Sequence, residues 1–465
     1  MYNNKRLGQH LAKSSAWSLG GQIVSTTTTM LFFVILSRTL PPADVGTYML
    51  IMHVVMVGSI IGTFGVQTTM IRKIAADLGT DRFIEVGRTA ITGISLVAGL
   101  SMLIGILLGG PLGTTLFDEV FHITTNQTLM TLIACWLTLN CCHIVANECL
   151  RGFHDIKYAT IYGASVKNTI LIILIASIFM ALDRMSVEIS ILAMSLSLSV
   201  ATFLSIRQLQ KHLLATSSAA SLSNATAKYL VTESTPIFLT QLAYQLVTRA
   251  GIFVLGYFAT KDDLALYGAA LQMVVLVVIP LRIMNSILPP IISNMYFNDD
   301  DHTRLEQTVR SVTTIATIPS LIVILFLVIF GEQLLVLTYG SFYGSGQILL
   351  VILVAGTLSD VAFGPAGFTL IMSGNQATHL RIMVITGVCA IILSILGGLL
   401  WGTLGVACMV AFSTIAQNFL TLCYAKKKAG IICCTYIKPL ELITLFKGIR
   451  NLSTNLKKKR NPSSN

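Results

Sequence analysis

Twelve apolar runs of about 20 residues recur along this chain, and no other feature limits its possible folds so severely. A hydrocarbon core about 30 Å thick is crossed by about 20 residues of helix, each rising about 1.5 Å. Runs of that length fall near 14–37, 46–66, 89–109, 127–148, 157–181, 188–206, 234–257, 265–290, 309–330, 346–371, 379–400 and 403–424. Soluble domains are about 25% charged, whereas charged residues here make up 11% and hydrophobic ones 54%, with a mean hydropathy of +0.78. The expected fold is an all-α polytopic membrane protein of about twelve transmembrane helices. The first run follows Lys5, Arg6 and Lys13 as a signal peptide's would, but it is too long and lacks a cleavage site before the next span. It reads as a retained first helix.

A net charge of +11 and a pI near 9.2 raise the question of a nucleic-acid partner. The placement of the charges excludes it. With the N-terminus in the cytoplasm, all but six of the 31 Lys and Arg residues fall on that side, among them Arg72, Lys73, Arg82, Arg88, Arg207, Lys211 and Lys426 to Lys428. Arg38, Arg184 and Lys261 lie in outside loops; Lys167, Arg249 and Arg282 lie in spans. That asymmetry orients the protein by the positive-inside rule, with both ends cytoplasmic. The nine cysteines fall in spans or on the cytoplasmic side, so no disulfide is expected. Cys141, Cys142 and His143 are adjacent and point apart on a helix, which does not suit a metal. No cofactor is implied.

Residues 207–229 are small and polar in composition and read as a flexible cytoplasmic linker between six spans and six. The halves echo each other. Residues 43–48, Ala-Asp-Val-Gly-Thr-Tyr, and 262–267, Asp-Asp-Leu-Ala-Leu-Tyr, align Asp44 with Asp263 and Tyr48 with Tyr267, and at the same offset Gln22 meets Gln241. An even number of spans per half makes the repeat parallel, a transporter arrangement. The expected organisation is an N-terminal lobe 1–206, the linker 207–229, a C-terminal lobe 230–425 and a basic tail 426–465. In the tail, Leu440, Ile443, Phe446, Ile449 and Leu452 at helical spacing suggest a helix lying on the inner leaflet.

An ionisable residue deep in a span costs about 2.5–3.5 kcal/mol on the insertion scale, so each one retained needs a reason. Five stand out: Lys167, Glu233, Arg249, Arg282 and Asp360. In span seven, Gln241, Gln245 and Arg249 are spaced i, i+4 and i+8 beside Thr248, one polar stripe on an apolar helix. Span eight carries Gln272, Arg282, Asn285 and Ser286, and span one carries Gln22, Ser25, Thr26 and Thr29. Either these faces bond to other helices or they line a wet cavity. Arg249 could instead be a structural ion pair, for instance with Asp360, and Lys167 could snorkel to the interface. Unpaired guanidinium groups in a cavity favour phosphate or carboxylate. Asp360 precedes Gly364 and Pro365, and Pro365 cannot donate to the Val361 carbonyl. A free carbonyl beside a carboxylate would suit a coupling proton or sodium ion, with an ordinary proline kink and an Arg counter-ion as the alternative. Gly58 and Gly62 read as helix-packing positions. No constellation of a hydrolase, P-loop enzyme or zinc protease occurs, so the chain does not read as an enzyme.

The segments Ala16-Trp17-Ser18-Leu19-Gly20-Gly21-Gln22, Leu36 through Tyr48, and Phe64-Gly65-Val66 with Arg72 and Lys73 resemble the opening of the polysaccharide transporter, or O-antigen flippase, branch of the MOP flippase superfamily. The resemblance implies a MATE-like fold of two pseudo-symmetric six-helix lobes. Spans one, two, seven and eight would surround a central cavity that moves an undecaprenyl-pyrophosphate-linked oligosaccharide across the bacterial inner membrane. In that frame Arg249 and Arg282 would bind the diphosphate, with Lys167 as a further cation. Gln22, Gln241, Gln245 and Gln272 would meet sugar hydroxyls, and Asp360 would bind the coupling ion or pair with an arginine. Implied partners are the lipid-linked oligosaccharide, membrane lipids, a polysaccharide polymerase and a chain-length regulator. A drug exporter of the same superfamily is the runner-up; the lack of a deep carboxylate in the first half counts against it. A non-transporting scaffold of polysaccharide assembly is a third reading.

Overall fold

The computed structural model describes residues 4–182, 185–216, 222–285, 288–298 and 302–435. Apart from turns these residues are helical: α1 Asn4–Thr39, α2 Pro42–Thr63, α3 Val66–Gly79, α4 Phe83–Gly109, α5 Pro111–Thr115, α6 Gln127–Gly152, α7 Ile156–Thr160, α8 Lys167–Leu182, α9 Val187–Thr216, α10 Asn224–Phe258, α11 Lys261–Asn285, α12 Leu288–Asn298, α13 His302–Tyr339, α14 Gln347–Phe363, α15 Ala366–Met372 and α16 Gln376–Ala429. Wider π turns at Leu116–Val120 and Ile161–Val166 and a tighter 3-10 turn at Ser341–Gly346 join three of these to their neighbours. Helix is the expected outcome, because hydrocarbon offers no partner to a backbone N–H or C=O and a helix satisfies both internally.

Among the described residues eleven helices are long and apolar enough to cross a membrane. The last, α16, is 54 residues long, or about 80 Å if straight, far more than one crossing needs. It reverses at Trp401 and Gly402, where Gly402 has φ 59° and ψ −140°, a conformation that only glycine adopts readily. Just beyond the bend the arms press together so closely that a Cβ on Gly405 would overlap the Gly397 carbonyl. The two arms match the expected spans at 379–400 and 403–424, so the described residues offer twelve segments long enough to cross. Residues 207–216 and 224–229, counted with the linker on composition, are helical: α9 continues to Thr216, and α10 starts at Asn224 behind the Ser223 side chain, which accepts from the Thr226 N–H at 3.4 Å. Caps override a weak compositional signal there. The expected tenth span is interrupted, α14 stopping at Phe363 and α15 starting at Ala366.

The described residues form two compact units. The first draws on Met1–Gln272, Phe330–Leu350 and Gly387–Val410. Its packing uses small residues at close approach: Gly58 faces Leu137, Gly62 faces Cys141 and Ser101, and Gly105 faces Ala134 and Thr138. The two repeat motifs meet here, Gly46 lying against the backbone of Lys261 and Ala265. Tyr48 is fully buried and stacks on Trp136 with ring centroids 5.7 Å apart. Buried hydroxyls are spent on the preceding turn of their own helix, as with Ser59 to Val55 O and Thr63 to Ser59 O.

The second unit draws on Met273–Ile329, Val351–Thr386 and residues from Ala411 onward. Leu288, Ile292, Leu305, Val309, Leu370 and Ile431 belong to one buried cluster. The chain leaves α16 through Gly430, φ 73°, and residues 431–435 are built into this unit instead of lying at its surface. Glu306 accepts from the Ile432 N–H at 3.2 Å, Arg310 donates to the Cys434 carbonyl at 3.3 Å, and the Thr435 N–H donates to Ala362 O at 3.0 Å. The start of the expected tail is thus core, because Ile431 and Cys433 are apolar and fill a gap between α13 and α15. The interfacial helix expected from Leu440 to Leu452 lies outside the described residues.

Burial pushes the Cys433 thiol up to about 12, and the side chain is fully covered. Reactivity needs an accessible thiolate. In a variant keeping Cys433 as its sole cysteine, iodoacetamide at pH 8 should leave the native protein unmodified and alkylate it fully after denaturation; mass spectrometry of the tryptic peptide reads the difference.

Candidate substrate site

The polar stripe of α10 meets the end of α2 and the length of α3. Phe64, with φ 48°, and Gly65, with φ 72°, turn the chain between those helices. A Cβ on Gly65 would sit 3.0 Å from the Phe238 N and the Ser234 O, so this turn lies directly on α10. From there a series of contacts climbs the helix: Arg72 pairs with Glu233 at 3.7 Å, Thr69 and Ser234 share a hydrogen bond of 2.8 Å, Phe64 stacks on Phe238 at 4.5 Å, and Gln67 donates to Gln241 at 3.3 Å. Glu233, one of the five ionisable residues singled out by sequence, therefore has a partner.

At the top of the series is Arg249. Its Nη1 lies 2.6 Å from His53 Nε2 on α2, and its Nε donates to Gln245 Oε1 at 3.4 Å. Thr248 also donates to Gln245, at 3.3 Å. Guanidinium has donors and no acceptor, so His53 Nε2 must offer its lone pair. The other ring nitrogen, Nδ1, lies 2.7 Å from the Met49 carbonyl and must carry the hydrogen. His53 is buried and is held as one neutral tautomer by these two contacts. Sequence reasoning missed His53, Gln67 and Thr69. The signal for His53 was present, a titratable side chain in the middle of the second apolar run.

The structure thus brings Gln241, Gln245 and Arg249 together on one face. Gln22 is exposed on α1 and reaches only Thr26, at 3.5 Å. Nearby, Asn168 of α8 lies within hydrogen-bond reach of the Ser25 carbonyl and the Thr28 and Thr29 hydroxyls, at 3.3, 2.9 and 3.2 Å. Lys167 opens α8 directly after the π turn, where its charge acts on His143. That ring lies 3.1 Å from Gly163 O and 3.3 Å from Thr202. Gln272 is half-buried on α11. A groove of about 730 Å³ adjoins the stripe, lined by apolar residues including Val57, Ile61, Leu107, Leu246, Phe253 and Ile395. Ala250 on α10 and Val54 on α2 line it too, each next in sequence to a partner of the Arg249–His53 contact.

In the second unit Asp360 Oδ1 accepts from Asn418 at 2.5 Å, and Asn418 also donates to Ser359 at 3.0 Å. Arg282, exposed on α11, acts on Asp360 through its charge. The break at Gly364, φ 65°, and Pro365 is where the sequence places it, but the carbonyl it releases is not free. Thr317 Oγ1 on α13 lies 3.2 Å from Val361 O and 2.8 Å from Thr313 O, its one hydrogen shared between the two carbonyls. Among the described residues no group of His, Cys, Asp or Glu could hold a metal, and all nine cysteines are free.

Long apolar helices in this order, with polar faces kept on several of them, define an all-helical, multi-pass membrane protein. The chain belongs to the polysaccharide biosynthesis protein family, whose model matches residues 11–296. No curated protein matches it significantly. Among solved structures it is similar to an inward-facing multidrug resistance MATE family transporter of the MOP superfamily (TM-score 0.73, 16% identity, 87% of this chain and 94% of that one). It is also similar to the lipid II flippase MurJ in an inward closed conformation (0.67, 14%, 89% and 87%). A third is a MOP superfamily transporter from Pyrococcus furiosus described as having a binding pocket of reverse polarity (0.65, 15%, 90% and 95%). At these identities the likeness establishes the fold.

Thr317→Val removes the donor to Val361 O while keeping the side chain's shape. Leaving a buried carbonyl unpaired should cost about 1–2 kcal/mol, read as a lower unfolding midpoint of the purified protein in detergent; an unchanged midpoint would mean that Val361 O has another partner.

Proposed function

We propose that this protein is a flippase for an undecaprenyl-pyrophosphate-linked oligosaccharide, the repeat unit of O-antigen or another surface polysaccharide, in the bacterial inner membrane. The observation that carries the reading is Arg249, a permanent cation kept on an apolar span beside Gln245 and His53. A guanidinium there matches a diphosphate in charge and in donor geometry. Arg282 supplies a second such group, and Lys167 a further cation. Gln22, Gln241, Gln245 and Gln272 offer amides to sugar hydroxyls, and the apolar groove beside the stripe suits the hydrocarbon of a carrier lipid. Asp360 binds the coupling ion or holds Arg282. Alternating access works through two lobes, 1–206 and 230–425, joined across 207–229, with both termini cytoplasmic. A polysaccharide polymerase and a chain-length regulator are the protein partners.

Losing a charge-assisted hydrogen bond is worth about 1.5–3 kcal/mol, or about 10–100-fold in affinity. In a strain dependent on this gene, Arg249→Ala and Arg282→Ala should each reduce surface polysaccharide by about tenfold or more while immunoblots show normal protein in the membrane. Lipid-linked intermediates should accumulate. Undiminished polysaccharide in both variants would overturn the assignment.

A further inference from the structure

His53 is a buried titratable group that the transport reading leaves without a task. Its Nδ1–H is committed to the Met49 carbonyl at 2.7 Å, so a proton can add to the ring only at Nε2. Nε2 is the atom that Arg249 occupies, at 2.6 Å. Two positive groups cannot share that contact: an imidazolium has no lone pair there to accept with, and like charges repel. The pair therefore has two exclusive arrangements. In one, neutral His53 holds Arg249. In the other, Arg249 has swung away and Nε2 is open to a proton.

We propose that His53 Nε2 is a proton-binding site coupled to anion binding at Arg249, so that engaging the diphosphate takes up a proton and releasing it gives the proton back. This rests on Arg249 being the anion site. A diphosphate drawing Arg249 toward itself uncovers the Nε2 lone pair and neutralises the charge that opposed protonation. The resulting imidazolium adds a second positive group facing the same anion. No covalent bond changes: the proton comes from water, sits on the Nε2 lone pair, and returns to water when Arg249 comes back. Coupling of this kind is reciprocal, the proton strengthening anion binding by the factor with which the anion strengthens proton binding.

The surroundings allow the exchange. Helices α1, α4, α6, α9 and α10 pack against α2, and among the described residues the charge that acts on the ring is that of Arg249. From α11 the Tyr267 phenol stands against α10 at Gly251, where it too feels the Arg249 charge. On α2 itself Tyr48 is turned toward Trp136. No carboxylate among the described residues acts on the ring to trap its proton permanently.

The test uses full-length protein in lipid nanodiscs with undecaprenyl pyrophosphate as the probe. Titration calorimetry in buffers of different ionisation enthalpy reads protons exchanged on binding, and repeating it from pH 8 to pH 6 reads the linkage. Wild type should take up a proton, its affinity rising on acidification toward the limit of about tenfold per pH unit for one linked proton. His53→Gln keeps an acceptor for Arg249 and cannot be protonated, so its uptake should be lower by that proton and its pH dependence flatter. Any titration of the diphosphate itself is common to both proteins. Equal uptake in wild type and His53→Gln overturns the proposal, as does a wild type that takes up none. Arg249→Ala separates this from the anion reading: binding as tight as wild type overturns that reading, whereas lost binding in Arg249→Ala with unchanged uptake in His53→Gln removes the proton site alone.

Discussion

A polar group inside hydrocarbon must find a partner within the protein, and the architecture follows from that single requirement. It dictates helices over sheets, and it dictates where helices can stop. The break after Phe363 is possible because Thr317 reaches Val361 O and the Thr435 N–H reaches Ala362 O. An unsatisfied carbonyl there would cost about 1–2 kcal/mol. Residues 431–435 are therefore part of the membrane domain's accounting, supplying a backbone donor to a helix more than 60 residues earlier.

The same requirement explains which polar residues cluster. Along α10 the polar positions Glu233, Ser234, Gln241 and Arg249 are answered by side chains of α2 and α3: Arg72, Thr69, Gln67 and His53. Most of these contacts join groups of modest polarity whose desolvation is small. Arg249 differs, since its charge is permanent and its contact on α2 is with a neutral imidazole.

Much of this was legible before the structure. Span length and position follow from apolar runs alone, and even the α16 hairpin is readable because Trp401-Gly402-Thr403 divides two such runs. The Gln241, Gln245 and Arg249 stripe was readable because helical spacing determines which residues share a face. What was not readable is pairing between distant segments. Asn168 with Thr28, Thr317 with Val361, and Arg249 with His53 join positions that no local pattern relates. For that reason the freed carbonyl at the Pro365 break looked available when it has a hydroxyl beside it, and the choice between packing and cavity for Thr29 on α1 stayed open until Asn168 of α8 was placed. Composition also misled at 207–216 and 224–229, which suit a linker by composition yet extend the neighbouring helices.

Arg38 and Lys261 run against the charge asymmetry that orients the chain by sequence, and their surroundings supply the reason. Arg38, in the last turn of α1, donates to the carbonyls of Val336, Leu337 and Thr338 at the end of α13, while Lys261 donates to the Phe121 carbonyl just past a π turn. Helix ends expose carbonyls with no intrahelical donor and carry partial negative charge, so a cation there satisfies both. In each case the cation and the carbonyls come from opposite halves of the sequence. Each contact therefore ties two segments far apart in sequence through a helix end, which is why a basic residue is retained at these positions against the general charge asymmetry.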